Sequence, residues 1–179
     1  VMGCAMQQGS SGRNPARNSL IRAGIPASVA GMSMDRQCAS GMMAIATAAK
    51  QIISDGMTVT VGGGLESISL VQNEHMNNHR AADPWIKANK PDLYMSMLET
   101  AEIVADRYGI TREAMDEYSA QSQARTHSAQ EAGRFNDEIV PLPSTMKFFN
   151  KETKEVTDID VTLEKDEGNR PGTSAENLA

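Results

Sequence analysis

Cys38 is the residue in this chain best placed to do covalent chemistry. It stands in Met34-Asp-Arg-Gln-Cys38-Ala-Ser-Gly41, between an apolar run at 29–34 and a segment poor in helix breakers, Met42 to Ser54. That order predicts a thiol at the N-terminus of a helix. Unpaired backbone N–H groups and the positive end of the helix dipole favour thiolate over thiol there, and the thiolate is the nucleophilic form. Ala39, Ser40 and Gly41 are small, so a substrate carbonyl has room to reach the sulfur and meet backbone N–H donors. A free cysteine is equally an ordinary small hydrophobe of protein cores, and spacing alone leaves both readings open. Cys4 lies in a strand-like run with no helix start and reads as inert core. No resolving cysteine is evident near Cys38, which weakens a redox-sensor reading. His75, His79 and His127 read as surface polar residues, and no metal-ligand spacing joins them to Cys38, so no metal is expected.

The elements around Cys38 follow from local signals. Asn14-Pro15 predicts a helix start, because Asn caps an orphan N–H and Pro at the first position forfeits no bond. That helix runs to about Ala23, ended by Gly24 and Pro26. Val29–Met34 reads as a short strand, and the Met- and Ala-rich segment 42–54 as a helix buried on most sides, stopped at Gly56. Met57-Thr-Val-Thr-Val61 is a second strand candidate, running into Gly62-Gly63-Gly64. These glycines lack any phosphate-loop pattern and are expected to let the backbone pass close to the nucleophile's turn, with Glu66 a structural carboxylate bonded to backbone N–H groups. Alternating strands and helices predict an α/β layered core over residues 1–70.

From residue 70 the texture changes. Residues 72–91 are polar and irregular. Met97, Ala101, Val104, Ala105 and Tyr108 then form a helical stripe closed by Gly109, and Thr111 caps a helix running to about Ala132 before Gly133. Glu138–Pro141 reads as a strand ending in proline, residues 150–168 as an exposed antiparallel hairpin, and 174–179 as a helix just beginning. Residues 71–179 are therefore expected as a separate subdomain.

Composition excludes several classes. The net charge of −6 argues against wholesale nucleic-acid binding, which needs a dense cationic face, although residues 1–60 carry five basic and two acidic side chains. No run approaches 18 apolar residues, so no bilayer-spanning helix is expected. Hydrophobic residues at 40% and charged residues at 22% fall in the globular range. Two cysteines make no disulfide framework and point to a reducing compartment, with the cytoplasm as the expected location and a mitochondrion or peroxisome as the alternatives, since a targeting signal could have preceded Val1. The chain opens on Val1 inside a strand-like run and ends within a helix start, so it is expected to be an interior fragment of a longer protein.

An ordered set of motifs resembles the first half of a thiolase: Asn14-Pro-Ala-Arg17; Met34-x-x-Gln37-Cys38-Ala-Ser-Gly41-Met-x-Ala-Ile45; Gly62-Gly63-Gly64-Leu-Glu66-Ser67; Thr100-Ala-Glu102-Ile-Val-Ala105; Gly133-Arg-Phe135-x-x-Glu138-Ile-Val-Pro141; and Asp166-Glu167-x-x-Arg170-Pro171. The resemblance implies an α-β-α layered core with an inserted α+β loop domain, residues 1–70 belonging to the former and 71–179 to the latter. It implies an acyl-CoA:acetyl-CoA C-acyltransferase in which Cys38 takes up the acyl group as a thioester, with coenzyme A as substrate and no further cofactor. It also implies that the activating histidine, a second cysteine and an Asn–His oxyanion hole lie beyond Ala179, so the chain alone is expected to be inactive. Arg170 matches the arginine near the nucleotide end of CoA. Gln123 and Asn177 match positions lining the same cleft, though Ser is commoner in place of Asn177, and Met97 matches a residue beside the acyl and pantetheine channel. Ser96 stands where some short-chain members carry His, which leaves room for longer acyl chains. A homodimer or homotetramer is implied for the whole protein. A non-catalytic acyl-CoA-binding or scaffold subunit and a ketoacyl synthase-like condensing enzyme are the rival readings.

Overall fold

A computed structural model describes all 179 residues, which form two compact units, Val1–Trp85 and Ile86–Ala179. The first unit runs β1 (Met2–Gly3), α1 (Pro15–Arg22), β2 (Ser33–Met34), α2 (Ser40–Ile53), β3 (Gly63–Gly64) and α3 (Ile68–Val71). Its three strands are parallel in the order β2-β1-β3, with Met2 opposite Ser33 on one side and Gly63 on the other. Parallel neighbours need crossover connections, and α1 and α2 supply them. Asn14 caps α1 as expected, its Oδ1 accepting from the Arg17 N–H at 3.1 Å, with Pro15 at the first position. The same Oδ1 accepts from Ser33 Oγ at 2.8 Å, and Ser33 Oγ accepts from the Ala16 N–H, which ties the helix start to β2.

Three expectations are corrected here. Met57–Val61 is not a strand: the pairing falls on Gly63–Gly64, and only the Val61 carbonyl takes part, accepting from the Val1 amino group at 2.7 Å. β propensity expresses fit to a half-buried pleated surface, and Val59 and Val61 are exposed here. The strand expected over 29–34 narrows to its last two residues. Finally, α2 buries only the i, i+4 row Ser40, Ala44 and Ala48, leaving Met42, Ile45 and Ile53 exposed, so its apolar surface is wider than what this chain covers. The segment 71–85 packs with the first unit, where the Asn77 N–H donates to Gln8 Oε1 at 2.8 Å, so the limit of compactness lies beyond residue 70. The short helix α4, Pro84–Asn89, follows.

In the second unit α5 (Met97–Tyr108) and α6 (Arg112–Glu131) form as their caps dictate. Ser96 and Glu99 make a reciprocal capping box, Gly109 ends α5 in the left-handed conformation, and Thr111 Oγ1 accepts from the Ala114 N–H. The bonds from the Ser96 N–H and hydroxyl hold the Glu99 carboxyl below its ordinary range. The hairpin lies earlier than expected. Its arms are β4 (Leu142–Phe149) and β5 (Val156–Leu163), paired antiparallel from Leu142↔Leu163 to Phe149↔Val156. Residues 136–138 form a single tight turn, and the strand begins after Pro141 rather than ending there. Pro143 is tolerated inside β4 because both strands of a two-stranded ladder are edges. The turn is organised by Asn150, whose Oδ1 accepts from the Glu152 and Thr153 N–H groups. Lys147 pairs with Asp158 across the strands at 3.1 Å. Last, α7 (Ala175–Leu178) begins at a Ser174 cap.

Candidate active site

The turn that carries Cys38 is built from β2, a tight turn and the start of α2. After Met34 the chain makes one 3₁₀ turn, Gln37–Ala39, and then enters α2 at Ser40. Cys38 is the middle residue of that turn and is exposed. Gln37 sits in the left-handed region at φ 50°, unusual for a residue with a Cβ. Two side chains hold it there. Asp35 Oδ1 accepts from the Gln37 N–H at 2.7 Å. The buried Ser40 hydroxyl donates to the Gln37 carbonyl at 2.7 Å and accepts from the Arg36 N–H at 2.8 Å.

A hollow of about 500 Å³ opens beside the thiol, bordered by Gly3, Met6, Cys38, Gly41, Gly64 and Glu66 among others. Its floor depends on missing side chains. A Cβ on Gly3 would lie 2.4 Å from the carbonyl carbon and oxygen of Ser40, and one on Gly62 would lie 2.8 Å from Ile45 Cα. Only bare backbone lets α2 approach β1 and β3 this closely. One on Gly64 would meet Gly3 O at 3.1 Å and Gly41 Cα at 3.7 Å, so the triple glycine does bring the chain beside the start of α2. Gly41 itself faces open space, which leaves room for a substrate over the helix start.

Glu66 is the structural carboxylate anticipated above, accepting from the Ala5 N–H at 2.8 Å and the Met6 N–H at 3.1 Å. Cys4 is 1% exposed, with its thiol 3.5 Å from Glu66 Oε1. Burial, and then the neighbouring Glu66 carboxylate, push the Cys4 thiol above its ordinary value. The two cysteines are thus opposites: one open on a helix start, the other shielded and held protonated.

The remaining candidate residues all lie in the second unit. Gln123, on α6, accepts through Oε1 from both Asn169 Nδ2 and the Arg170 N–H, each at 2.8 Å. Arg170 is exposed on the loop so pinned, and its carbonyl accepts from the Thr173 hydroxyl at 2.8 Å. Asn177 lies on α7, its Nδ2 donating to the Gly172 carbonyl at 3.1 Å. Arg112, paired with Asp116 through Nε, also donates to the Leu178 carbonyl and fastens α7 to α6. Gln123, Arg170 and Asn177 therefore belong to one hydrogen-bonded stretch of α6, loop and α7. Met97 stands apart from them, exposed at the first position of α5. A hollow of about 680 Å³ in this unit is lined by His127, Gln130, Glu138 and Asp166 among others, and by none of the candidate residues. Sequence reasoning treated Ser40 only as a small residue and passed over Asp35. The available signal was Asp35 two residues before Gln37, the spacing of an Asx turn.

Comparison with known proteins places these features in a family. The model of the thiolase N-terminal domain matches residues 1–179. The chain is 36% identical over 180 residues to the 3-ketoacyl-CoA thiolase of Bacillus subtilis, covering 100% of this chain and 45% of that protein. It is 39% identical over 152 residues to the acetyl-CoA acetyltransferase of Cupriavidus necator, covering 79% of this chain and 38% of that one. The crystal structure of human mitochondrial 3-ketoacyl-CoA thiolase superposes with a TM-score of 0.75 at 30% identity, over 99% of this chain and 45% of its own. The crystal structure of human mitochondrial 3-ketoacyl-CoA thiolase in complex with CoA gives 0.73 at 31% identity, over 99% and 44%. The chain thus spans less than half the length of the curated relatives it matches.

Proposed function

The chain belongs to the thiolase family, and from that premise we propose that the whole protein is an acyl-CoA:acetyl-CoA C-acyltransferase with Cys38 as its nucleophile. The observation carrying the proposal is the exposed thiol of Cys38 at the start of α2, open to a hollow beside it, within a chain matched throughout by the family's N-terminal domain. In the degradative direction the Cys38 thiolate attacks the 3-keto carbon of a 3-ketoacyl-CoA. The C2–C3 bond breaks, its electron pair leaves on the acetyl-CoA fragment, and that fragment takes up a proton. The acyl group remains on sulfur as a thioester, and the thiolate of a second CoA attacks its carbonyl and frees Cys38. In the synthetic direction an acetyl-Cys38 is attacked by the carbanion of another acetyl-CoA. Covalent catalysis divides one hard carbon–carbon step into two easier ones.

Arg170, Gln123, Asn177 and Met97 are proposed to bind the CoA substrate, with no further cofactor. Support for this comes from the shared hydrogen-bonded stretch of the first three and from the human relative crystallised with CoA. Proton transfer to and from Cys38 falls to groups outside these 179 residues. The exposed apolar residues Met42, Ile45 and Ile53 of α2 are a surface for the rest of the whole protein to cover. The same reading carries a role in fatty acid metabolism, a homodimer or homotetramer, and a cytoplasmic location suggested by the free cysteines.

The test is to trap the intermediate. Full-length protein incubated with acetyl-CoA alone should carry one acetyl group on the Cys38 peptide, and free CoA should remove it. Cys38→Ser should carry none and show no thiolysis. If the acetyl-CoA binds but no peptide is labelled, the protein is a non-catalytic acyl-CoA-binding subunit.

A further inference from the structure

Gln37 supplies the starting point, because its left-handed backbone sits immediately before the nucleophile. A side chain there carries a conformational penalty, and such conformations persist only where their surroundings over-determine them. Here the surroundings are few and identifiable. The Ser40 hydroxyl spans the turn, holding the N–H that precedes Gln37 and the carbonyl that follows it, at 2.8 and 2.7 Å. Asp35 holds the N–H of Gln37 itself. Ser40 is 5% exposed, so water is a poor substitute for its hydroxyl. The backbone of Ser40 also presses on Gly3 of β1, which anchors the clamp to the sheet.

We propose that Ser40 is a positioning residue for the acyl-transfer reaction: by locking Gln37 in the left-handed conformation it fixes the direction in which Cys38 leaves the turn. This rests on Cys38 being the nucleophile. The Ser40 hydroxyl donates to the Gln37 carbonyl and accepts from the Arg36 N–H, so its hydrogen bonds hold backbone rather than a reacting group. Its effect is on geometry alone. A nucleophile displaced by about 1 Å costs on the order of a hundredfold in rate, while the remote CoA contacts are untouched. Asp35 is the lesser clamp, being exposed and bonded to one group only.

The experiment uses the full-length enzyme and steady-state thiolysis of a 3-ketoacyl-CoA. Ser40→Ala should lower kcat about ten- to a hundredfold with KM for the CoA substrate changed less than about twofold. Glycine adopts positive φ without penalty, so Gln37→Gly added to Ser40→Ala should recover at least about fivefold of the loss. A Ser40 that merely stabilised α2 would gain nothing from a glycine at position 37. Wild-type kcat in Ser40→Ala overturns the proposal, and so does a loss that Gln37→Gly leaves unchanged. Should Ser40→Ala fail to fold, Asp35→Ala decides: a fall in kcat at constant KM supports the clamp, and an unchanged kcat overturns it. Cys38→Ser runs alongside. If that variant still turns over, the nucleophile assignment has failed and the clamp falls with it. If it is dead while Ser40→Ala is fully active, only the clamp is wrong.

Discussion

The turn that carries Cys38 and the stretch that carries Arg170 are held by different physics. In the first unit backbone lies directly on backbone: β1 meets the start of α2 at Gly3, and α2 meets the chain before β3 at Gly62. Around that contact backbone N–H groups are taken up by the buried Ser40 hydroxyl, at Arg36, and by the exposed Glu66 carboxylate, at Ala5 and Met6. In the second unit the equivalent support is amide side chains reaching from α6 to a loop, Gln123 to Asn169 and Arg170, and Gln130 to the Asp166 carbonyl. Close packing gives precision with no tolerance for added atoms. A hydrogen bond at a wet surface gives placement that water can partly replace. Covalent chemistry needs the first kind of support, and recognition of a flexible, charged substrate is served by the second.

The sharpest way to break this contrast is to add one methyl group. Gly3→Ala would place a Cβ 2.4 Å from Ser40 backbone atoms, which cannot rotate away as a side chain would. Overpacking of this kind costs about 1–3 kcal/mol where relaxation is easy, and the cost rises where backbone must shift. We expect Gly3→Ala in the full-length protein to lower the melting temperature by several degrees and kcat by at least about a hundredfold. Gly24→Ala is the control for space, since nothing lies within 4 Å of its Cβ; there only the left-handed φ of 77° should be felt, with kcat unchanged. Equal effects of the two substitutions would show that the approach of α2 to β1 is not what sets the site.

The second test compares the two cysteines. Cys38 is exposed and Cys4 is 1% exposed, bonded toward Glu66 with its thiol raised above the ordinary value of 9.0. Iodoacetamide at neutral pH should label Cys38 at least about a hundredfold faster, because the thiolate reacts and access limits the rate. Peptide mass spectrometry over a time course reads both sites at once. The sign of the Cys4 shift adds a pH dependence. A thiol that holds its proton more tightly when folded contributes stability that is intact below its unfolded value and is lost as pH rises through the higher, folded one. Denaturant midpoints should therefore decline above about pH 9 more steeply in the parent than in Cys4→Ala. Comparable labelling of Cys4 and Cys38 in the native protein would remove the difference in environment on which the assignment stands.

How much of this was legible in the sequence depended on how local each signal is. Helix ends were readable because their causes lie within four residues: Asn14-Pro15, Thr111, Gly109 and Ser174 do what their types suggest, and the box of Ser96 with Glu99, which went unread, is as local. The strands were not, since a two-residue ladder is set by what the backbone meets across space. Val59 and Val61 have the right propensity and lie outside it, while Gly63 and Gly64 have the wrong propensity and form it. Pro141 misled because it precedes the strand it was read as ending, while Pro143 sits inside β4, where an edge tolerates it. At the site, the type and placement of Cys38 were legible, as was the structural role of Glu66. The left-handed Gln37 and the double bond of Ser40 were not, because a glutamine gives no sign of positive φ and a serine has many uses.

The smallest expected effects lie in the second unit, where they sharpen the contrast rather than break it. Arg170 offers a planar pair of donors that suits a phosphate of CoA, and lysine cannot reproduce that fork. The contact is remote from the thioester, so its loss removes binding shared by ground and transition states. A charge-assisted hydrogen bond is worth about 1.5–3 kcal/mol, so Arg170→Ala should raise KM for the CoA substrate roughly ten- to a hundredfold with kcat nearly constant. Dephospho-CoA substrates would narrow the gap if the 3′-phosphate is the partner. Gln123→Ala deletes only the two bonds accepted by Oε1, from the Arg170 N–H and Asn169 Nδ2, and keeps the bond from Asn169 Nδ2 to the Gln123 carbonyl. It should raise the same KM only a few-fold, since a neutral hydrogen bond contributes about 0.5–1.5 kcal/mol. The pattern of kinetic constants separates the two regions: substitutions around Cys38 act on kcat, and those around Arg170 act on KM. An unchanged KM in Arg170→Ala would make this residue a solvated loop charge. A fall in kcat on Gln123→Ala as large as that of Ser40→Ala would mean that the loop, too, is held to the precision of a reacting centre.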